Sequence, residues 1–431
     1  MYRKYLSMKE EKNKRSAKVS NSNKTNKLIY LDKEKLKIEK TENNSNEQKL
    51  NKFKLAGTAI LLIIILAIMI TYIVYANNET FRNYLDEYVL RKDLSESSLQ
   101  SIELKDYDKS TVFAYSKYIA VIGNNTLTTY NSSGKKEAEL LLEITEPLIT
   151  TSGKYALIAE NNSTKMYMVS DSSLKWEKEL EGNISRVTVN KSGYSAVILT
   201  GTAYKSVIIL QDNSGNELFK TYLASTVAVD ISISDDNKQL SYAEINTSGT
   251  LIQSNIKTID IDKAKQDSEN AITSSYSGSQ NSLVLNIEYQ NKNNLICMFD
   301  DSIVEIKAGN SKKITDINTK EEKITFSSIQ LNNSVVKNIE DNSGILSTQT
   351  ELKIINTSSA KESNYRFYGV TKELYCSESK IALNLGSEVH FVATNGWLIK
   401  KYSSSQEIRK IVLSDNIAGI VYRNKIEIVK L

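Results

Sequence analysis

The sequence predicts an all-β fold, a β-propeller of about eight blades, preceded by one transmembrane helix. Three observations predict it. Residues 55–76 form an uncharged, mostly apolar run. From residue 101 onward, apolar residues recur with a period of two, which is typical of strands. These short strand-like segments also form a pattern that repeats about every 40 residues, the length of a propeller blade.

Composition excludes several classes of protein. Apolar residues make up 40% of the 431 residues and charged residues 25%, which are globular values rather than those of a disordered or polytopic membrane chain. One His and two Cys argue against most metal scaffolds and against a disulfide framework. The sequence contains no phosphate-binding loop, nucleophile elbow or zinc-protease motif. We therefore predict no catalytic residue, no cofactor and no metal site.

The first 54 residues differ in charge from the rest of the chain. They hold 16 Lys and Arg against 7 Asp and Glu, which leaves 39 basic and 44 acidic residues for the remainder. The net charge of +4 is therefore no argument for binding nucleic acid. We expect residues 1–54 to be a mostly disordered cytoplasmic tail, because they have too few apolar residues to form a core. Their lysines either bind anionic lipid headgroups or only set the membrane orientation.

Residues 55–76 are predicted to span a membrane. The 22 residues rise about 33 Å as a helix, enough for a hydrocarbon core of about 30 Å. Five residues are candidates for the membrane interface: Lys52, Phe53, Lys54, Tyr72 and Tyr75. The basic flank on the N-terminal side places the N-terminus in the cytoplasm and the C-terminal domain outside the cell membrane. A cleaved signal peptide is the alternative.

Residues 77–100 are interpreted as an amphipathic stalk and linker. Phe81, Tyr84, Leu85, Tyr88 and Val89 have helical spacing, so they form one apolar stripe. This stripe either packs on the outer domain or lipid, or pairs with another chain.

Two clear repeat units, which begin at Pro147 and Ile184, carry the tight turns Ser152-Gly153 and Ser192-Gly193, 40 residues apart. Each reads as strand, tight turn, two strands, a polar turn and a fourth strand. Weaker copies follow the same template; they span 111–140, 227–262, 283–307, 324–355, 373–402 and 408–429. The last copy is one strand short, and residues 101–105 could supply that strand and close a ring over residues 101–431. Seven blades follow if one weak copy is not a blade, and a β-sandwich pair is the alternative fold.

The first clear unit resembles known propeller repeats. Met166 to Trp176 alternates hydrophobic residues into an Asp turn that a Trp follows, as in quinoprotein, YVTN and WD40-like repeats. Six residues are candidates for this repeat signature: Gly153, Trp176, Gly193, Gly215, Phe219 and Trp397. The whole layout also resembles single-pass membrane proteins of Gram-positive bacteria with an extracytoplasmic propeller. That resemblance implies residence in the cell envelope.

Other polar features suggest structure more than chemistry. The lone His390 lies in an alternating strand, and Cys297 and Cys376 read as small buried hydrophobes. The pairs Asp235-Asp236 and Asp300-Asp301 are interpreted as hairpin turns rather than Ca²⁺ loops. Residues 263–282 are expected to form a polar insertion on one rim, either a binding loop or a surface loop.

These observations predict a membrane-anchored binding or scaffold module at the cell envelope. The expected partner is an envelope protein, a peptide or a glycan, held at the rim loops or the axial opening. Two alternatives remain: a lyase or hydrolase with carboxylates at the central channel, and a transmembrane sensor.

Overall fold

The computed structural model describes residues 33–85, 89–90, 92–95, 99–247, 252–317, 320–341 and 348–431, with the backbone alone for 33–53, 79–80, 83 and 93–95. The predictions made for residues 1–32 and for Tyr88 lie outside the described residues. The chain divides into two units, residues 1–82 and 83–431.

The first unit contains a long helix, α1 (Lys33–Asn77). Its segment Lys54–Asn77 is long and apolar enough to cross a membrane, and none of its most apolar stretch is buried in protein. The prediction of an apolar membrane-spanning helix is confirmed to that extent. The helix begins 22 residues before the predicted span, where we expected disorder. The physical reason is that Lys, Glu and Leu are good helix formers and the apolar helix that follows removes the nucleation barrier.

The second helix, α2 (Glu79–Tyr84), occupies the start of the predicted stalk. Its apolar stripe is only partly covered, with Phe81 and Leu85 half-buried and Tyr84 exposed. The stalk segment also contains a strand, β1 (Asp93–Ser95), which pairs in parallel with a strand of the propeller.

The propeller consists of eight sheets, here called blades 1 to 8, which are antiparallel except where β1 joins one of them. Blades 1 to 4 each contain four strands consecutive in sequence. Blade 1 contains β3 (Ser110–Tyr115), β4 (Tyr118–Gly123), β5 (Thr126–Tyr130) and β6 (Lys136–Leu141). Blade 2 contains β7 (Pro147–Ser152), β8 (Tyr155–Glu160), β9 (Lys165–Ser170) and β10 (Ser173–Glu179). Blade 3 contains β11 (Asn183–Val189), β12 (Ser195–Thr200), β13 (Ser206–Gln211) and β14 (Glu217–Leu223). Blade 4 contains β15 (Val227–Ile233), β16 (Gln239–Asn246), β17 (Gln253–Asp260) and β18 (Ile272–Ser277).

Blades 5 to 8 follow the same plan, except that two of them recruit a strand from the N-terminal side. Blade 5 contains β19 (Val284–Tyr289), β20 (Leu295–Phe299), β21 (Ser302–Lys307) and β22 (Asn310–Asp316). Blade 6 contains β23 (Ile324–Leu331), β24 (Ser334–Asp341), β25 (Gln349–Asn356) and β26 (Glu362–Tyr368). Blade 7 contains β27 (Glu373–Ser377), β28 (Lys380–Asn384), β29 (Glu388–Ala393) and β30 (Leu398–Ser403), with β1 beyond β30. Blade 8 contains β31 (Lys410–Leu413), β32 (Ile417–Val421) and β33 (Lys425–Lys430), with β2 (Gln100–Glu103) as its outer strand.

Strand β2 closes the ring. It pairs antiparallel with β33 from Gln100 opposite Ile428 to Glu103 opposite Lys425. On the inner side, the first strand of blade 8 contacts the first strand of blade 1, so the inner strands form a complete circle. The predicted eight-blade ring is confirmed. The structure also places the predicted closing segment where the sequence required it.

The core consists of eight apolar clusters, each shared by two neighbouring blades. Between blades 8 and 1, for example, Val421 and Ile426 pack with Ile119, and Ile102 of the closing strand joins them. Burying one such side chain contributes about 1.5–3 kcal/mol, so the contacts between blades stabilise the ring strongly. Each blade thereby covers the apolar face of the next.

The polar segment 263–282 is not simply an insertion. It begins within a one-turn helix, α3 (Ile261–Ala264), whose first turn is capped by the Asp260 side chain. It then supplies β18, the outer strand of blade 4. The expectation of a rim insertion is wrong for Ile272–Ser277, because this outer strand is polar and weakly buried and so carries little alternation.

Candidate functional site

One end of the central channel is surrounded by eight hairpin turns, each joining the first and second strands of a blade. A cavity of about 580 Å³ lies there, and all eight blades contribute to its wall. We call it the axial mouth. Its charged residues come from six blades; they are Lys154, Lys191, Asp235, Glu288, Glu378 and Asp415. Blades 1 and 6 contribute uncharged groups such as Tyr115 and Gln330.

Turn chemistry explains why these residues reach the axis. The hairpins place a residue with positive φ at Ser116, Gly153, Gly193, Asn237, Asn333 and Glu378, where φ lies between 46° and 81°. Gly and Asn adopt this conformation at little cost, which is why they are common in tight turns. Ser116 and Glu378 are the exceptions, and a glutamate at φ 46° is strained.

The axial mouth is crossed by an ion pair between two opposite blades. Lys191 belongs to the hairpin of blade 3 and Glu378 to the hairpin of blade 7, four positions around an eight-membered ring. Lys191 Nζ lies 3.8 Å from Glu378 Oε2, and the side chains are 41% and 32% exposed. Such a long, solvated pair contributes about 0–1 kcal/mol, so it separates easily.

Glu378 is held from both neighbouring blades. On the blade 6 side, the backbone N–H of Asn332 donates to the carbonyl oxygen of Glu378 (2.6 Å). On the blade 8 side, the backbone N–H and hydroxyl of Ser379 donate to Asp415 Oδ1 at 3.0 and 2.9 Å. Burial raises the pKa of Glu378; Lys191 opposes this shift, and the hydrogen-bonded Asp415 adds to it. Asp415 therefore favours the protonated form of Glu378.

Glu288 projects from blade 5 into the same cavity. Glu288 is solvent-exposed, and no described residue donates a hydrogen bond to its carboxyl. The surrounding wall raises the pKa of Glu288 to about 8; Asp230 and Asp235 raise it further, while Lys191 opposes them. A carboxyl of this kind exchanges protons near neutral pH.

Asp230, a neighbour of Glu288, ties three blades together. Its carboxylate accepts from the backbone N–H of Ile287 (2.8 Å) and from Asn286 Nδ2 (2.9 Å) of blade 5. Arg186 Nε of blade 3 lies 3.1 Å from its other oxygen. Burial raises the pKa of Asp230 while Arg186 and these donors oppose the shift. This network fixes the wall beside Glu288.

The repeat-signature residues lie at contacts between blades and in hairpin turns rather than in one site. Gly215 of blade 3 packs against the ring of Trp176 of blade 2, and Trp176 Nε1 donates to the carbonyl oxygen of Asn213 (3.3 Å). Phe219 is buried between blades 3 and 4. Gly153 lines the axial mouth, and Gly193 lies in the equivalent turn of blade 3.

Blade 7 repeats the glycine contact without using an aromatic ring. Gly396 packs directly on the backbone of Asn364 in blade 6. Trp397 follows this turn and its carbonyl accepts from the backbone N–H of Ala393 (2.9 Å). The polar turn between the third and fourth strands therefore docks each of these blades on the outer strand of the preceding one.

The predicted membrane-interface residues belong to α1. The side chains of Lys54 and Tyr72 are exposed and that of Tyr75 is half-buried, while those of Lys52 and Phe53 lie outside the described side chains. Their position in a membrane stays a prediction.

His390 and the cysteines lie apart from one another. His390 is buried in blade 7, where Nδ1 lies 3.0 Å from the Tyr365 hydroxyl and Nε2 lies 3.4 Å from Glu388 Oε2. Cys297 is buried as expected, whereas Cys376 is half-buried; it packs against the apolar cluster of blades 6 and 7 and also lines the axial mouth. Burial raises the pKa of the Cys376 thiol to about 12, so it is not a thiolate at neutral pH.

Sequence reasoning named the axial opening as a candidate binding surface but assigned no residues to it. It identified the turns that carry Asp235, Glu378 and Asp415 but treated them only as turns, and it did not single out Glu288 or Lys191. The available signal was positional: Lys191 and Glu378 occupy equivalent hairpins four repeats apart, so ring closure places them face to face. Among the described residues, no three His, Cys, Asp or Glu side chains converge as metal ligands.

Sequence comparison assigns the chain to a family. The model of a family of unknown function (DUF5711) matches residues 90–431, most of the chain, and the chain therefore belongs to that family. No curated protein matches the chain significantly in sequence.

Solved structures resemble the propeller in fold. The C-terminal WD40 domain of Sif2 has a TM-score of 0.50 and 16% identity, covering 77% of this chain and 99% of that one. The Dos1 propeller has a TM-score of 0.48 and 13% identity, with 72% and 86% covered. BamB from Moraxella catarrhalis has a TM-score of 0.46 and 10% identity, with 77% and 99% covered. At these identities the likeness extends to the propeller fold alone.

Proposed function

We propose that this member of the DUF5711 family is a membrane-anchored binding module that holds a protein or peptide partner at the axial mouth of its propeller. One observation carries the proposal: all eight blades contribute to a single cavity of about 580 Å³. This volume lies within the range of cavities that take small ligands or a few side chains. Because every blade lines this cavity, each blade can contribute a contact to the bound partner.

The chemistry of the wall favours a polar partner. Carboxylates, lysines and the hairpin backbones face the cavity, so they supply directional hydrogen bonds and charge. The blades behind them are tied by the Asp230 network and the apolar clusters, which keep the wall preorganised. A preformed polar cavity is suited to recognition.

The anchor follows from α1. The apolar side chains of Lys54–Asn77 are not buried by protein, and hydrocarbon is the environment that suits them. The basic residues before the span support a cytoplasmic N-terminus and an outer propeller, in the arrangement 1–54 tail, 55–76 span, 77–100 stalk and 101–431 propeller. The resemblance to single-pass Gram-positive proteins supports a cell-envelope location. The lysines of the tail add adhesion to anionic headgroups of about 1 kcal/mol each near the surface.

Topology is tested in intact cells with a membrane-impermeant maleimide. Single cysteines are introduced by Ser22→Cys in the tail and Ser133→Cys in an exposed propeller turn, in a chain whose own cysteines are replaced by alanine. We expect labelling at position 133 in intact cells and at position 22 only after lysis. The reverse pattern would reject the outer location of the propeller.

Partner binding at the mouth is tested by photocrosslinking. The full chain carries benzoylphenylalanine in place of Gln330 at the mouth or, as the matched control, in place of Glu177 on the outer strand β10. We expect a discrete crosslinked species from position 330 that is absent from position 177. It should be lost when Glu378→Lys replaces a carboxylate of the mouth with an ammonium. Equal crosslinking from both positions, or none from position 330, would contradict the proposal.

A further inference from the structure

The axial mouth contains more negative than positive groups. Its wall holds four carboxyls, Asp235, Glu288, Glu378 and Asp415, against two amines, Lys154 and Lys191. The ammonium of Lys154 is already placed over the ring of Tyr155, 5.4 Å from its centroid. A partner that complements this wall brings positive charge.

The protein itself shows where such a charge lies. Lys191 extends its ammonium across the axis to Glu378, within the field of Glu288. Because the pair is long and half-solvated, another ammonium replaces it with little loss of stability. Lys191 therefore marks the position that a ligand ammonium would take.

Glu288 adds a further carboxyl to the same wall. Its carboxyl faces the cavity and receives no hydrogen bond from any residue that the structure describes. The charged groups that face it are Asp230 and Asp235 from blade 4 and Lys191 from blade 3. Two of these three are negative, so an added cation relieves repulsion at this wall.

The spacing of the carboxyls favours an ammonium over a metal ion. Calcium requires six to eight oxygens converging on one point. No three acidic side chains among the described residues converge in that way. A primary ammonium instead donates three hydrogen bonds in different directions, which suits carboxyls on separate blades.

From this geometry we infer that the axial mouth binds a lysine side chain presented by a peptide segment of the partner, and that Lys191 occupies the ammonium position until the partner arrives. This inference rests on the proposed function and names its ligand class. Glu378 and Glu288 receive the ligand ammonium, and Lys191 moves away toward solvent.

The test uses the full chain in detergent micelles and isothermal titration with the blocked peptide acetyl-Gly-Lys-Gly-amide. The matched control peptide carries norleucine, which keeps the lysine hydrocarbon stem and removes the charge. We expect the lysine peptide to bind at least tenfold more tightly than the norleucine peptide. Equal affinity for the two peptides, or binding of neither, would overturn the inference.

Two variants test the assigned positions. Lys191→Gln removes the internal competitor and is expected to tighten binding of the lysine peptide about threefold to tenfold, whereas Glu378→Gln is expected to weaken it about tenfold. Thermal unfolding verifies that both variants fold. A further measurement needs no substitution: titration at pH 7.5 in buffers of different ionisation enthalpy counts the protons released on binding, which reports the deprotonation of Glu288. Weaker binding by Lys191→Gln, or uptake of protons instead of release, would contradict the inference.

These results separate the two proposals. If a partner crosslinks at position 330 but the lysine peptide does not bind, the ligand class is wrong and the binding function stands. If crosslinking at the mouth also fails, the proposed function is wrong.

Discussion

Gly215 lies so close to Trp176 that a Cβ atom at position 215 would be 3.1 Å from Cδ2 of the indole ring. The two residues belong to neighbouring blades, with Gly215 in the turn before the outer strand of blade 3 and Trp176 on the outer strand of blade 2. Gly215 also has a φ of 81°, which disfavours other residues. One glycine therefore serves both the turn and the contact between blades.

A series of glycine-to-alanine variants separates these two effects. Gly153 has positive φ but no atom within 4 Å of the added Cβ, so Gly153→Ala is expected to cost only the turn strain, about 1 kcal/mol. Gly215→Ala adds contact with a ring that has some freedom to shift, whereas Gly396→Ala places its Cβ 2.6 Å from the backbone oxygen of Asn364. We expect destabilisation to increase in the order 153, 215, 396, reaching about 2–4 kcal/mol. Denaturant unfolding measures it, and equal losses at all three positions would disprove the packing contribution.

The closing strand is expected to govern the stability of the ring. Ile102 is 4% exposed within the cluster shared by blades 8 and 1, so Ile102→Asp buries a charge and should destabilise the propeller by about 3 kcal/mol or more. The neighbouring Ser101 on the same strand is exposed, and Ser101→Asp is the matched control. Thermal unfolding of both variants tests this prediction. A similar melting temperature for the two would show that closure does not depend on Ile102.

Glu288 predicts a pH dependence of stability. Its pKa is raised from 4.5 to about 8, so its contribution to stability is fully present below about pH 4.5 and is lost as pH rises through 8. Glu288→Gln mimics the protonated form at every pH. The variant should therefore match the parent at pH 5 and exceed it at pH 9, by about 1 kcal/mol once screening by channel water is allowed for.

Melting temperatures of the parent and Glu288→Gln at pH 5 and pH 9 measure this effect. Glu177→Gln, which changes an exposed carboxyl on β10, is the control and should leave the difference between the two pH values unchanged. A Glu288→Gln variant that gains nothing at pH 9 would contradict the raised pKa.

The apolar helix predicts a depth-dependent response to charge. Ile65 lies near the middle of Lys54–Asn77, so Ile65→Arg should reduce membrane insertion by about 2.5–3.5 kcal/mol, whereas Asn77→Arg at its end should change insertion little. The fraction of chain that resists alkaline extraction from membranes measures insertion. Full retention of the Ile65→Arg variant in the membrane would argue against a spanning helix.

The sequence was sufficient to predict the ring because its turns and its strand count carry the information. Asn, Asp, Gly and Ser at eight equivalent turns predicted about eight blades. The missing strand of the last repeat indicated that residues 101–105 could supply it and close the ring. Strand β18 was missed because Thr273, Ser274, Ser275 and Ser277 mask its alternation with polar residues. Strand β1 is only three residues long, too short to show a period.

The candidate site was harder to predict than the fold. In the linear sequence, Lys191 and Glu378 are ordinary turn residues. Only closure of the ring brings Lys191 Nζ to 3.8 Å from Glu378 Oε2. The raised pKa of Glu288 depends on the surrounding wall and on Asp230, which belongs to another blade. Such properties arise from contacts between distant repeats, which a single sequence does not display.

The pairing of β2 with β33 also determines when the propeller ring can close during synthesis. The two strands that seal the circle are made at opposite ends of the propeller's synthesis, because β2 precedes blade 1 and β33 completes blade 8. Until β33 emerges, the chain carries an open arc whose two terminal blades present uncovered aliphatic surfaces to water and to other nascent chains. The unfinished arc is therefore prone to aggregate until the final hairpin completes the ring.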